Sequence, residues 1–166
     1  MDIFVSPNRT LHFQNKEYIC AIGKGGIRED KIEGDGASPI GSYPIREIYY
    51  RSDRIEKPKC CFPISAITPS MGWCDASEDK NYNRLVTHPY PVSHEKLWRE
   101  DHIYDVIVVL GYNDAPVVAG KGSAIFFHIA RDNYQDTEGC IAVSLDHMYE
   151  ILQALTPHTR FRIRSF

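Results

Sequence analysis

Two residues of types used in nucleophilic catalysis, His128 and Cys140, lie twelve positions apart in the second half of the chain. A cysteine attacks as its thiolate, and a neighbouring imidazole lowers the thiol pKa and accepts its proton. Gly139 permits a tight turn that directs successive backbone N–H groups at a developing oxyanion. These residues predict acyl transfer through a thioester, with a buried core thiol beside a buried imidazole as the alternative. The group that orients the imidazole is open between a backbone carbonyl and an acid such as Asp132 or Asp136.

The length and composition are those of one soluble globular domain, which we expect to span residues 1–166. Apolar residues make up 43% and charged residues 25% of the chain, as in proteins with an ordinary buried core. The net charge of −3 disfavours nucleic acid or an anionic membrane as the main partner. No apolar stretch approaches the roughly 18 residues that span a bilayer. Basic residues in the middle of the chain indicate a solvated face rather than a binding stripe: Arg46, Arg51, Arg54, Lys57 and Lys59.

The cysteines and the N-terminal residues together favour a cytoplasmic protein. The cysteines are odd in number and include an adjacent pair, which makes a poor disulfide framework: Cys20, Cys60, Cys61, Cys74 and Cys140. Residues 1–7 carry an early acid and no long apolar run, unlike a secretory signal. A metal site of Cys60, Cys61, Cys74 and His88 is a weak alternative, because the paired Cys-x-x-Cys spacing of zinc sites is missing. We therefore predict no metal and no cofactor.

The first half of the chain shows strand patterns separated by turn-forming residues. Residues 17–23 and 44–50 predict strands, and residues 31–41 between them form a loop rich in Gly, Pro and Asp. Residues 51–102 are too long for a plain connection, so we expect them to pack over the sheet and help to shape a pocket. A short helix at 93–99, capped by its first residue, is expected within them.

The second half is more regular. Residues 105–112 and 123–129 are near-continuous apolar runs, which predict central strands buried on both faces. Ser144 is expected to cap a helix with apolar residues at helical spacing, and Pro157 to end it. Residues 160–163 alternate as a closing strand. These patterns predict a mainly β fold with one or two helices, one of them directly behind the Cys140 turn.

Three segments, taken in order, resemble the L,D-transpeptidase catalytic domain, the YkuD-like family. They are the glycine-proline motif of residues 34–45, the histidine strand of residues 125–128 and the nucleophile turn of residues 137–144. Residues 72–75 and 82–84 are similar to a small single-domain branch without a signal peptide, which includes cytoplasmic L,D-carboxypeptidases. The resemblance covers most of the chain.

The resemblance implies a β-sandwich-like domain that acts on peptidoglycan stem peptides. In the implied reaction Cys140 attacks the carbonyl at the L-centre of diaminopimelate in a tetrapeptide and expels the terminal D-alanine, and an amine or water then accepts the acyl group. The commoner nucleophile motif is Ser-His-Gly-Cys followed by a hydrophobic residue and Arg, whereas this chain has Thr-Glu-Gly-Cys-Ile-Ala. The N–H groups of Glu138, Gly139 and Cys140 remain candidates for the oxyanion hole, which needs no particular side chain. Other residues must make the substrate contacts that the arginine makes in the commoner motif.

Candidate substrate-binding residues are arginines for a carboxylate and aromatic residues for the peptide. A guanidinium holds a carboxylate through two parallel hydrogen bonds, which singles out Arg84, Arg99 and Arg131. Four aromatic residues are candidates for a floor beneath the stem peptide: Trp73, Tyr82, Trp98 and Tyr112. For each residue alone, a surface or packing role is the alternative. Nucleotide binding is rejected, because no Gly-Lys-Ser or Gly-Lys-Thr follows the glycine-rich loop.

The expected partner is a peptidoglycan stem tetrapeptide or a muropeptide. The expected activity is that of a cytoplasmic L,D-carboxypeptidase in muropeptide recycling, because soluble turnover fragments and water are abundant there. One alternative is a periplasmic L,D-transpeptidase that forms cross-links or exchanges D-amino acids. Another is a non-catalytic muropeptide-binding module, which the presence of both His128 and Cys140 disfavours. The sequence makes no prediction of oligomeric state.

Overall fold

The protein is mainly β, as predicted, and a computed structural model describes all of residues 1–166. The first seven strands are β1 (Ile3–Ser6), β2 (Thr10–Phe13), β3 (Lys16–Ile19), β4 (Ile27–Arg28), β5 (Ser38–Pro39), β6 (Gly41–Tyr50) and β7 (Ile64–Ala66). The other seven are β8 (Met71–Cys74), β9 (Leu85–Thr87), β10 (His94–Lys96), β11 (Val106–Leu110), β12 (Phe126–Ile129), β13 (Ile141–Val143) and β14 (Arg160–Ile163). The helices are α1 (Leu145–Gln153) and a 3-10 turn at Asp132–Tyr134. No helix of the protein is long and apolar enough to cross a bilayer.

Nine strands form one sheet that nearly closes on itself. Their order is β13-β12-β11-β6-β14-β1-β2-β3, and β7 pairs with β6 beside this path. The two ends of the sheet meet because Ala21, just after β3, forms an isolated bridge with Ala142 of β13. The Ala21 N–H donates to the Ala142 carbonyl at 2.8 Å, and the reverse bond is 3.1 Å. The edge of β13, which follows Cys140 directly, is therefore covered.

The central strands are buried on both faces, as their apolar runs predicted. In β11, Val106 and Val108 join the larger apolar cluster, and Ile107 and Val109 join a second cluster on the opposite face. The second cluster also contains Cys140. The two apolar layers give the sandwich-like character that the family resemblance implied. The nucleophile lies on the smaller layer.

Helix α1 confirms the prediction of a capped helix behind the turn. Ser144 has an extended backbone, and its Oγ accepts from the His147 N–H at 3.3 Å, as an N-cap side chain does. Met148, Ile151 and Leu152 are fully buried against the sheet. The helix ends at Gln153, before the proline that was expected to stop it.

Residues 51–102 pack over the sheet as expected, but the helix predicted at 93–99 is wrong. In its place His94–Lys96 forms β10, which pairs with β8 in the three-stranded sheet β10-β8-β9. Seven residues gain little from helix formation alone, and the ladder to β8 supplies the hydrogen bonds instead. The strand places Glu95 at the wall of the cavity described below.

Two basic residues predicted to be solvated instead anchor the loop that follows β10. Arg51 is 4% exposed, its guanidinium carbon lies 3.5 Å from the centre of the Trp98 ring, and it pairs with Asp53. Arg54 Nη1 is 2.9 Å from Asp105 Oδ1 and also donates to the Asp101 carbonyl. These contacts fix residues 97–105, whose side chains reach the cavity. The solvated-face interpretation was therefore wrong for Arg51.

Candidate active site

His128 and Cys140 line the same cavity, which has a volume of about 270 Å³. Their proximity follows from strand pairing: β12 carries His128, and β13, which begins one residue after Cys140, runs parallel to β12. Phe127 is in register with Ile141, so the nucleophile turn lies at the end of the histidine strand. The structure thus brings together the two residues that the sequence singled out for chemistry.

The turn before Cys140 is stabilised by Thr137. The Thr137 hydroxyl donates to the Cys140 carbonyl at 2.7 Å and accepts from the Gly139 N–H at 3.1 Å. Gly139 has a φ of +133°, and a Cβ at this position would lie 2.7 Å from the Ala37 carbonyl oxygen. Both the backbone conformation and the lack of space therefore require glycine directly before the nucleophile.

The imidazole of His128 is oriented by a backbone carbonyl. Its Nδ1 lies 2.9 Å from the Ile129 carbonyl oxygen, which only accepts hydrogen bonds, so Nδ1 carries the proton and Nε2 is left unprotonated and able to accept one. The acids considered from the sequence do not serve this role: Asp132 is exposed, and Asp136 pairs with Arg9. His128 is 3% exposed, and this burial lowers the pKa of its imidazole to about 4.

The Cys140 thiol is held between an acceptor and a donor. Its Sγ donates to the Ala124 carbonyl at 3.2 Å and accepts from the Phe126 N–H at 3.4 Å. Burial raises the pKa of the thiol to about 12, and the negative charge of Glu95 acts in the same direction. The resting pair is therefore a neutral thiol and a neutral imidazole. The sequence had led us to expect a thiol with a lowered pKa.

Two backbone N–H groups at the nucleophile are without a hydrogen-bond partner. The Gly139 N–H donates to Thr137 Oγ1. The N–H groups of Glu138 and Cys140 donate to no protein group. The Glu138 side chain is 77% exposed and pairs with Lys24 at 2.8 Å, so this residue contributes its backbone rather than its carboxylate. Free N–H groups beside a nucleophile are suited to bind an oxyanion.

Carboxylates without a cationic partner form one wall of the cavity. Asp75 has a buried oxygen, Oδ1, with no hydrogen-bond partner. Glu95 accepts from the Tyr104 hydroxyl, and burial raises the pKa of its carboxyl. Glu33 accepts from Ser123 Oγ at 2.8 Å and from the Tyr82 hydroxyl at 3.1 Å. Tyr104 also packs edge-on against the His128 ring, with ring centres 5.3 Å apart.

Two of the three candidate arginines reach the cavity. Arg99 lines it and pairs with Asp101, with an Nη2–Oδ2 distance of 2.6 Å. Arg131 lines it and forms no ion pair. Lys31, which the sequence did not single out, also lines the cavity and pairs with Asp35 at 2.5 Å. Arg131 is the lining cation that has no protein carboxylate of its own.

The remaining candidates from the sequence lie elsewhere. Arg84, Trp73 and Tyr112 line a separate cavity of about 260 Å³, which does not include Cys140 or His128. Tyr82 lines neither cavity, although its hydroxyl supports Glu33 from behind. Trp73 packs edge-on against Phe126, with ring centres 5.1 Å apart, which is a core contact. The structure does not bring these four residues to the nucleophile.

Glu95 and Tyr104 were missed by sequence reasoning. Glu95 lies in residues 51–102, where no periodic pattern showed which side chains turn inward, and Tyr104 lies just before the strand predicted at 105–112. Only the pairing of β10 with β8 and the anchoring of the following loop place them beside His128. No group of three or more His, Cys, Asp or Glu side chains is arranged to hold a metal ion, and all five cysteines are free thiols.

Comparison with known proteins agrees with this site. Residues 2–163 match the family described as the L,D-transpeptidase catalytic domain, YkuD. No curated protein matches the sequence. The match covers nearly the whole chain and includes the histidine strand, the nucleophile turn and the strands that hold them. The chain therefore belongs to the L,D-transpeptidase catalytic domain family, whose chemistry is acyl transfer on peptidoglycan peptides.

Proposed function

We propose that the protein is a cysteine-dependent L,D-carboxypeptidase that removes the terminal D-alanine from peptidoglycan tetrapeptides. We place it in the cytoplasm, where it would act on fragments recycled from the wall. The observation that carries the proposal is the arrangement of Cys140 and His128 in one cavity, which is also lined by the two residues of this turn whose backbone N–H groups have no protein partner.

The first half-reaction uses the neutral pair as it stands. Cys140 Sγ attacks the carbonyl carbon of the scissile bond while His128 Nε2 takes the thiol proton, so no thiolate has to exist beforehand. The free N–H groups of Glu138 and Cys140 bind the oxyanion. When the intermediate collapses, the imidazolium returns the proton to the amine of the departing D-alanine, and a thioester remains.

The second half-reaction is hydrolysis of that thioester. His128 Nε2 accepts a proton from water as the water attacks the thioester carbonyl, and the Cys140 sulfur leaves with that proton. The cavity of about 270 Å³ is slightly smaller than the roughly 300–1,000 Å³ of most ligand pockets, which favours the end of one stem peptide and water over two peptides. Five free thiols also fit a reducing compartment.

The charges of the cavity match a diaminopimelate residue. Its side chain ends in an amine and a carboxylate, which need an anion and a cation respectively. Asp75 and Glu95 are carboxylates without a cationic partner, and Arg131 is a guanidinium without a carboxylate. We therefore assign the ammonium group to the carboxylate wall and the carboxylate to Arg131.

Mass spectrometry of the products tests the proposal. The protein is incubated with a diaminopimelate tetrapeptide, with and without excess glycine or D-amino acid, beside Cys140→Ala. Loss of one D-alanine to give tripeptide, unchanged by the added amine and absent in Cys140→Ala, is expected. Exchange of the terminal residue as the main product would instead show a transpeptidase. If the protein turned over neither free nor sugar-linked peptide, both enzymatic functions would be contradicted, and a non-catalytic binding module would be the remaining alternative.

A Glu95→Gln variant tests the assignment of the substrate amine. Wild-type protein should prefer the tetrapeptide with a free side-chain amine over its N-acetylated form, because acetylation removes the positive charge. The variant should lose part of this preference. Equal rates on both peptides in the wild-type protein would refute the assignment but not the carboxypeptidase.

A further inference from the structure

The side-chain amide of Asn83 uses all of its hydrogen-bonding capacity. Its Oδ1 accepts from Trp73 Nε1 at 2.9 Å and from the Ala124 N–H at 3.0 Å. Its Nδ2 donates to the carbonyl oxygens of Tyr112 and Asn113, both at 2.9 Å. A primary amide offers two donors and two acceptor positions, so this buried group has none left for a ligand. Asn83 thus joins Trp73, ten residues before it, to two segments that lie 29 and 41 residues after it.

Ala124 has a backbone conformation that residues with a Cβ rarely adopt. Its φ is +53°, in the left-handed region. The hydrogen bond from its N–H to Asn83 crosses 41 residues and fixes the peptide that enters this conformation. The strand β12 begins only two residues later, which explains why the strand predicted from residue 123 starts at Phe126.

The carbonyl of Ala124 is the acceptor for the nucleophile. Cys140 Sγ donates to it at 3.2 Å and receives the Phe126 N–H at 3.4 Å, so a single short segment contacts the sulfur twice. The direction of the Ala124 carbonyl depends on the φ and ψ of this residue, which together define the left-handed conformation. A change of that φ to the right-handed region would turn the carbonyl away from the thiol.

We propose that Asn83 is a positioning residue for the nucleophile, which acts by holding Ala124 in its left-handed conformation and thereby aiming the Ala124 carbonyl at the Cys140 thiol. The kinetic part of this proposal rests on the proposed function, whereas the effect on the thiol does not. Asn83 lines the separate cavity that contains Trp73, so it does not contact a substrate held beside Cys140.

Two effects of removing Asn83 follow. The thiol loses the acceptor that favours its protonated form, so it ionises more readily. The sulfur also loses a restraint on its position, which lowers kcat while KM is little changed. Asn83 forms no hydrogen bond to the titratable and charged side chains that share the cavity with Cys140, which are Lys31, Glu33, Asp75, Glu95, Arg99, Tyr104, His128, Arg131 and Glu138.

Asn83 itself has a φ of +55°, so Asn83→Ala also strains its own backbone, whereas the strain at residue 124 alone is relieved by Ala124→Gly. Asn83→Ala is compared with wild type, with Trp73→Phe and with the double variant Asn83→Ala/Ala124→Gly. Trp73→Phe removes one hydrogen bond from the same oxygen but keeps an aromatic ring against Phe126, and it leaves Ala124 bonded. Glycine adopts the left-handed conformation without strain, so the double variant should regain part of the lost function. Thermal unfolding shows which variants are folded at the assay temperature.

The first measurement is the rate of Cys140 alkylation by iodoacetamide from neutral to alkaline pH, followed in the Cys140 peptide by mass spectrometry. Asn83→Ala should react faster than wild type at neutral pH. Its kcat on tetrapeptide should fall about 10- to 100-fold with KM unchanged. Trp73→Phe should show neither change.

A wild-type alkylation profile and a wild-type kcat in folded Asn83→Ala would overturn the proposal. An equal shift in Trp73→Phe would also overturn it, because the effect would then be one of general packing. If wild-type protein turns over no peptide, the proposed function fails, and the alkylation profiles still decide the role of Asn83.

Discussion

Ser38 and Gly139, which are 101 residues apart in the chain, are joined by a hydrogen bond of 2.8 Å from the serine hydroxyl to the glycine carbonyl. The same hydroxyl accepts from the Gly23 N–H at 2.9 Å. The glycine-proline motif near the start of the chain is thus tied to the nucleophile turn through one buried side chain. Its resemblance to the family has a physical reason, because it supports the backbone that carries Cys140.

Ser38→Ala should weaken both the fold and the catalysis. It leaves the Gly23 N–H and the Gly139 carbonyl without a partner in a buried place, which costs about 1–3 kcal/mol in the free energy of unfolding. The turn then loses a restraint beside the nucleophile, so kcat should fall as well. Urea denaturation and tetrapeptide turnover measure the two effects. The exposed Ser65→Ala is the control, and equal losses in both variants would refute this role of Ser38.

The buried imidazole of His128 should make the protein acid-sensitive. Its pKa is lowered from 6.5 to about 4 in the folded state, so the unfolded chain binds more protons between these pH values. Stability is therefore lost as the pH falls from about 6.5 to about 4, by roughly 3 kcal/mol from this group. His128→Asn should abolish most of this dependence.

Unfolding by urea at several pH values in this range measures the effect. The matched control is His158→Asn, at an exposed position, which should keep the wild-type acid sensitivity. An acid sensitivity in His128→Asn equal to that of wild type would show that other groups are responsible. Wild-type activity should persist below pH 6.5, because His128 stays neutral there.

The choice between the arginines is decided by substrate affinity. Arg131→Ala should raise KM for the tetrapeptide about tenfold, since a charge-assisted hydrogen bond to a carboxylate contributes about 1.5–3 kcal/mol. Arg84→Ala should leave KM unchanged, because Arg84 lines the separate cavity. If KM rose for Arg84→Ala but not for Arg131→Ala, Arg84 would be the residue that binds the carboxylate, and the assignment to Arg131 would be refuted.

The thiols should react in an order set by exposure. Cys61 is exposed, whereas Cys140 is 7% exposed with its pKa raised by burial to about 12. In the free protein at neutral pH, iodoacetamide should therefore modify Cys61 well before Cys140. Peptide mapping after short incubations gives the order. Preferential labelling of Cys140 would show that a thiolate already exists in the resting site.

The juxtaposition of His128 and Cys140 and the strands that hold them were predictable because their signals are local. Runs of apolar residues marked β11 and β12, and the Ser144 cap with helical spacing marked α1. The orienting group of His128 was not predictable, since a backbone carbonyl has no residue identity. The carboxylate wall was missed because Glu95 faces the cavity only through strand pairing between β10 and β8. The prediction of a helix at 93–99 was wrong for the same reason, because the pairing with β8 makes these residues a strand.

The pKa of Cys140 shows where residue types mislead. A histidine near a cysteine predicts an activated thiolate when the imidazole and the thiol are both exposed to water. Here both are buried, and burial favours the neutral form of each, so the imidazole loses basicity and the thiol loses acidity together. Only the depth of the two residues, which no motif encodes, decides between these outcomes.

The bridge between Ala21 and Ala142 also bears on how the protein folds. The nucleophile turn is held by backbone hydrogen bonds from residues 21–24 to Thr137 and Ala142, which come from opposite ends of the chain. Such contacts form late, because a long loop must close before they stabilise anything. A growing chain on the ribosome therefore carries an unfinished active site until its last strand, β14, has been made and paired with β1 and β6. Turnover of a peptidoglycan peptide would accordingly report completion of folding.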